Sequence, residues 1–118
     1  MDDRTQKLKE KLECLMREAA ATAAELQMAE RGAGKAVHFS QIEAAAHRVG
    51  VQLSCRIQER TAREVAADSP REAPCPTCGA ACRLEIKRRT INSTDGPVEV
   101  WEPCGHCTRC RRDFFPSA

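Results

Sequence analysis

Two long stretches with a helical period give way, near residue 70, to two short arms with the period of a strand. Leu8, Leu12, Leu15, Ala19, Thr22, Leu26 and Ala29 follow one another in alternating steps of four and three, which draws one seam along a helix. Asp3 and Gln6 fit an N-cap and its partner three residues on, so the first helix is predicted over about 4–31. Gly32-Ala33-Gly34 then stops it, because two glycines so close together weaken a helix and permit a left-handed turn. Ser40-Gln41-Ile42-Glu43 reads as a capping box with Phe39 placed to staple onto Ala44, which predicts a second helix over about 41–67. Ser69-Pro70 ends it, and residues 70–74 read as a linker. Beyond the linker, Leu84 and Ile86 alternate with Arg83, Glu85 and Lys87, and Val98 and Val100 alternate with Glu99 and Trp101. Between these arms lies Asn92-Ser93-Thr94-Asp95-Gly96-Pro97, dense in turn formers, so the pattern predicts a β-hairpin with one apolar and one largely charged face.

Each helix leaves a choice open. The seam of the first has the a/d spacing of a coiled coil, which would give a homodimer through this helix; the alternative is an amphipathic helix packed on its neighbour in the same chain. Cys14, beside the seam, then reads as a small core residue, and Glu13 with Arg17 as an i, i+4 pair. In the second helix, Ala46-His47-Arg48-Val49-Gly50-Val51 has the small-residue and glycine spacing of a helix-turn-helix, whose recognition helix would carry Gln52, Arg56, Arg60 and Arg63. A bent or continuous helix is the other reading, because Arg56 falls where such motifs bury an apolar residue. His38 and His47 read as surface residues.

Candidate chemistry is concentrated in the cysteines. Cys75-Pro76-Thr77-Cys78-Gly79 and Cys107-Thr108-Arg109-Cys110 flank the hairpin, and two Cys-x-x-Cys turns can aim four thiolates at one structural Zn²⁺. Paired strands recede from a turn at equal rates. Counted from Thr94, Cys78 is 16 residues back, Cys107 is 13 forward and Cys104 only 10, so Cys75, Cys78, Cys107 and Cys110 are the expected metal ligands. Cys104 and His106 are the substitutes, and Cys82 reads as a small apolar neighbour. Trp101, Phe114 and Phe115 could cap the small core, while about 45 residues bury too little surface to fold unaided, so metal binding would carry much of the folding free energy.

Composition narrows the class. The chain has 118 residues, 42% hydrophobic and 31% charged, as in soluble proteins of one to two small domains, but aromatics are only 3%, which argues against a large core. No apolar run is long enough for a membrane span and the N-terminus is charged, so a cytoplasmic location is expected, where cysteine pairs bind metal more often than they form disulfides. Ser-His-Asp order, Gly-rich phosphate loops and His-Glu-x-x-His are all missing, and a four-thiolate zinc site has no open coordination position; no enzyme is expected. Net charge is +2, with 11 basic against 11 acidic residues over 1–70 and 8 against 6 beyond, so attraction to nucleic acid would have to be local. Arg83, Lys87, Arg88 and Arg89 on the first arm and Arg109, Arg111 and Arg112 around the second Cys-x-x-Cys form such a patch, able to hold a few phosphates or simply solvated.

Cys75-Pro76-x-Cys78-Gly79, the basic stretch, Gly96-Pro97-Val98, Cys107-x-x-Cys110 and Phe114-Phe115-Pro116, taken in order, resemble the N-terminal zinc-ribbon region of a family of bacterial insertion-sequence transposases. In that family the ribbon precedes an RNase H-like catalytic domain. The resemblance implies the same four cysteines as ligands and DNA as the partner of Lys87, Arg88, Arg89, Arg109, Arg111 and Arg112. It covers about 45 residues, and the chain ends at Ala118, where the catalytic domain would be expected to begin. The expectation is thus an α+β protein with a helical hairpin or helix pair over 1–69, a linker over 70–74 and a small four-Cys zinc ribbon over 75–118. Its expected role is a zinc-stabilised DNA-binding and assembly module without a catalytic domain, with a protein-interaction adaptor or an inactive remnant as the alternative.

Overall fold

The computed structural model describes residues 2–32, 34 and 36–116. Ala33 of the predicted helix stop and the last two residues of the predicted ribbon lie outside the described residues. The fold is α+β: helices α1 (Asp3–Arg31) and α2 (Phe39–Ala67) precede a four-stranded antiparallel sheet of β1 (Glu72–Pro74), β2 (Ala81–Ser93), β3 (Gly96–Cys107) and β4 (Arg112–Phe114) in the order β1-β2-β3-β4. The chain divides into two compact units, residues 1–50 and 51–118.

Within the first unit, α1 begins one residue earlier than the sequence suggests. Asp2 is its N-cap and accepts a hydrogen bond from the Thr5 amide at 2.6 Å, which holds the Asp2 carboxyl below its usual range. Gly32, at φ 80°, closes the other end. None of the residues of α1 is buried: Leu8, Leu12, Leu15 and Leu26 are between 48% and 58% exposed, and Cys14 is exposed rather than a core residue. The start of α2 also departs from expectation. The helix opens at Phe39, and His38 takes the capping role assigned to Ser40: the Ser40 amide donates to His38 Nδ1 at 3.2 Å, and the His38 amide donates to Gln41 Oε1 at 3.2 Å. This is the reciprocal geometry of a capping box, moved two residues towards the N-terminus because an imidazole nitrogen accepts as a serine hydroxyl would. Phe39 is therefore exposed inside the helix and staples nothing.

Gly50 does not interrupt α2, which runs unbroken from Phe39 to Ala67, so the helix-turn-helix reading is excluded. In the second unit the later part of α2 follows the sheet. Ser54 and Cys55 bond to the side chain and carbonyl of Asp95, at 2.5 and 3.6 Å, and the Glu99 amide donates to Glu59 Oε2 at 2.9 Å. Ala66 is buried, next to a shallow apolar surface that it shares with Ala67, Ile86 and Trp101.

The hairpin turn is Thr94-Asp95, since Ser93 pairs with Gly96. A two-residue turn pairs even-numbered positions of β2 with odd-numbered positions of β3, and directly opposed residues share a face. Leu84 and Ile86 therefore stand with Gly105 and Pro103, while Val98 and Val100 stand with Ile91 and Arg89. The apolar positions of the two arms lie on opposite faces of the sheet, which corrects the expectation of one apolar and one charged side. The predicted linker is likewise partly strand: Glu72, Ala73 and Pro74 pair with Arg83, Cys82 and Ala81, and the Leu84 amide donates to the Arg71 carbonyl at 2.8 Å.

Candidate metal centre

Two turns build the site, one at each outer hairpin of the sheet. The first, between β1 and β2, is tied by the Gly79 amide to the Cys75 carbonyl at 2.9 Å and by the Cys75 amide to the Ala80 carbonyl at 2.8 Å. The second, between β3 and β4, lies next to the pair Cys107–Arg112. Each turn directs two sulfurs inward, and Cys75, Cys78, Cys107 and Cys110 bring their Sγ atoms within 4.8 Å of one another. The Sγ separations are 3.9 Å for Cys75–Cys110 and 3.6 Å for Cys78–Cys107, each joining one turn to the other. A thiol donor set this tight is the arrangement of a metal site.

Backbone amides already prepare two of these sulfurs for negative charge. Thr77 N lies 3.4 Å from Cys75 Sγ, and Cys110 N lies 3.4 Å from Cys107 Sγ. Amide donors from Cys78 and Thr77 hold the Cys75 thiol down at about 6, and the Cys110 amide lowers that of Cys107. The opposite holds for Cys110, pushed up to about 12 by its hydrogen bond with Cys78, by burial, and by its contacts with Cys75 and Cys107. Neighbouring sulfurs cannot all ionise without a cation between them.

The other candidates stay out of the cluster. Cys82 is buried beside Cys75 and Cys107, donates to the Ala80 carbonyl at 3.3 Å, and has its thiol pushed up, chiefly by burial. Cys104 is buried and opposes Glu85, an odd number of residues from Cys107 and so on the other face of β3. His106 Nδ1 is 2.7 Å from Asp113 Oδ1, a contact that lowers the Asp113 carboxyl. Phe114 packs on the cysteine cluster as expected, but Trp101 remains partly exposed.

The basic residues named from sequence part company in the structure. Arg89 is part of the fold: its Nε and a terminal nitrogen reach the two carboxylate oxygens of buried Glu102 at 3.0 and 2.9 Å, and its guanidinium lies 4.3 Å from the Phe115 ring centroid. Arg88 lies over Trp101 at 5.9 Å and pairs with Glu99 at 3.6 Å. Lys87 and Arg109, together with Arg83, line one groove of about 490 Å³ beside the cysteines, which Glu85, His106 and Asp113 also border. Lys87 reaches Asp113 at 3.9 Å. Arg111 and Arg112 are exposed just beyond Cys110. The pairing of Arg89 with Glu102 could have been found from the register alone, since Arg89 opposes Val100 and is diagonal to Glu102 on one face.

Among the described residues no helix is long and apolar enough to cross a membrane. Compared with protein-family models, curated proteins and solved structures, the chain matches none.

Proposed function

We propose that the ribbon binds one structural Zn²⁺ through Cys75, Cys78, Cys107 and Cys110, and that zinc holds a phosphate-binding groove in place for DNA. Four sulfurs at about 2.3 Å from one tetrahedral Zn²⁺ lie about 3.8 Å apart. The separations of 3.6 and 3.9 Å between the two turns bracket that spacing, and this observation carries the zinc reading. The donor set is closed, so the zinc activates no water and the chain is read as a binding module, not an enzyme.

The DNA reading rests on the groove and on the resemblance to insertion-sequence transposases. Arg83, Lys87 and Arg109 converge beside the metal site, with Arg111 and Arg112 exposed next to it. These are point contacts to phosphate, which confer affinity rather than sequence choice. Arg88 and Arg89 leave the proposed set, because both are engaged within the sheet. On this reading the chain serves a transposase-like protein as its DNA-binding and assembly module.

Zinc content and binding to duplex DNA over a salt series, for the wild-type chain and an Arg83→Ala/Lys87→Ala/Arg109→Ala variant, test it together. The expected result is one zinc per chain in both proteins, with salt-sensitive DNA binding in the wild type and a clear loss of affinity and of salt slope in the variant. Equal DNA binding by both zinc-loaded proteins, or none by either, would leave the groove without a nucleic-acid role and favour the adaptor reading.

A further inference from the structure

The seam of α1 lies wholly in solvent, and its residues are distributed unevenly. Leu8, Leu12 and Leu15 fill its first half; Ala19, Thr22 and Ala29 leave the second half thin, with Leu26 its one large side chain. The charges flanking the seam are divided in the same way. Arg4, Lys9 and Lys11 border the bulky half and Glu18, Glu25 and Glu30 border the thin half. None of these six charges has an ion-pair or hydrogen-bond partner among the described residues, whereas charges off the seam pair along the helix: Lys7 with Asp3 at 3.1 Å and Arg17 with Glu13 at 3.5 Å.

We propose that α1 docks on α1 of a second copy of this chain, antiparallel, along the seam. Aligned over their full length, the two helices set Leu12 against Thr22 of the second copy, Leu15 against Ala19 of the second copy, and Leu8 against Leu26 of the second copy. The central layers then each combine a large with a small side chain, which keeps the helix spacing even there; Leu8 with Leu26 and Ala29 with Thr5 make up the ends. A parallel pair would stack leucine on leucine throughout the first half and, apart from Leu26 on Leu26, alanine on alanine or threonine on threonine in the second, which makes the spacing uneven along one interface.

Charge points the same way. Antiparallel docking brings Lys11 alongside Glu25 of the second copy and sets like charges together only where Glu18 meets its counterpart, whereas parallel docking places Arg4 by Lys9 and Glu25 by Glu30. Volume and charge are independent properties of the sequence, and both select the antiparallel orientation. The proposal stands apart from the zinc and DNA readings.

Sedimentation equilibrium of the full chain, zinc-loaded, in reductant and without DNA, tests it. The wild type is expected to dimerise. The Lys9→Glu/Lys11→Glu and Glu25→Lys/Glu30→Lys variants should each dimerise more weakly, on the order of tenfold, and the variant combining all four substitutions should recover. Because the recovered protein carries every substitution, misfolding of one double variant would not mimic the pattern; circular dichroism checks that each remains helical. In a parallel pair Lys9→Glu would instead meet Arg4 and tighten the dimer, while Glu25→Lys/Glu30→Lys would only exchange one like-charged pair for another. That result, a wild type monomeric at every concentration tested, or a dimer broken only by changes at the exposed α2 residues Ile42, Val49 and Leu53, would overturn the proposal.

Discussion

Arg111 repeats, with a full side chain, the left-handed backbone turn that Gly79 makes at the matching place in the other Cys-x-x-Cys: each follows the second cysteine of its pair, at φ 54° and 76°. Glycine adopts that conformation at no steric cost, and an L-residue does not. Replacing Arg111 by Gly should therefore stabilise the ribbon by roughly 0.5–1 kcal/mol, the relief of strain being partly offset by the freer unfolded chain. Gly79→Ala should destabilise it by about 1 kcal/mol. Urea unfolding at fixed free zinc, followed by the fluorescence of Trp101, the only tryptophan, reads both changes.

Ligand assignment makes a sharper division. Serine at Cys75, Cys78, Cys107 or Cys110 should abolish stoichiometric zinc and unfold the ribbon, while α1, in the other compact unit, keeps its helical signal. Cys82→Ala, Cys104→Ala and His106→Ala should keep one zinc per chain, because none of these groups enters the sulfur cluster. Zinc measured by a chromogenic chelator on purified variants decides it; loss of metal from the Cys104 or His106 variant would reassign the site.

Arg89 and Arg83 should behave differently although both are arginines of β2. Arg89→Ala leaves the Glu102 carboxylate, 11% exposed, without its bidentate partner and should cost about 2 kcal/mol. Arg83→Ala removes an exposed side chain and should leave stability within about 0.5 kcal/mol. Urea midpoints give both values, and an unchanged midpoint for Arg89→Ala would mean that this partly exposed pair adds nothing net.

Which parts of the structure were legible depended on how local their cause was. Asp95-Gly96 announced the turn, and two Cys-x-x-Cys pairs announced the thiol cluster, because each works over a few residues. The count from the turn chose the four cysteines whose sulfurs cluster, although the register carried on past Leu84–Gly105 brings Cys107 level with Cys82, not Cys78. Cys78 reaches the cluster from a turn beyond the end of β2, and that turn takes up the difference. Features set by pairing at a distance were not legible: β1 is three residues long and has no periodicity, and the faces of Leu84 and Val98 depend on a turn of two residues rather than three. His38 escaped notice because capping is sought in serine, threonine and acidic residues. The continuity of α2 through Gly50 shows the limit of a single glycine as a signal: it lowers helix stability by about 1 kcal/mol, too little to break 29 residues of helix.

Zinc uptake should release protons, and its pH dependence follows from the divided thiols. Cys75, at about 6, is mostly ionised at pH 7 before metal arrives, so it gives up little. Cys110, at about 12, is protonated in the metal-free ribbon and must lose its proton to become a ligand. Binding therefore competes with protons: affinity rises with pH through the neutral range, and it falls steeply once acid also protonates Cys75, below about pH 6. Calorimetric titration with zinc at pH 7, in buffers of different ionisation enthalpy, should show at least one proton released per metal bound. A heat independent of buffer would mean that all four sulfurs are ionised beforehand, and the crowding inferred around Cys110 would be wrong.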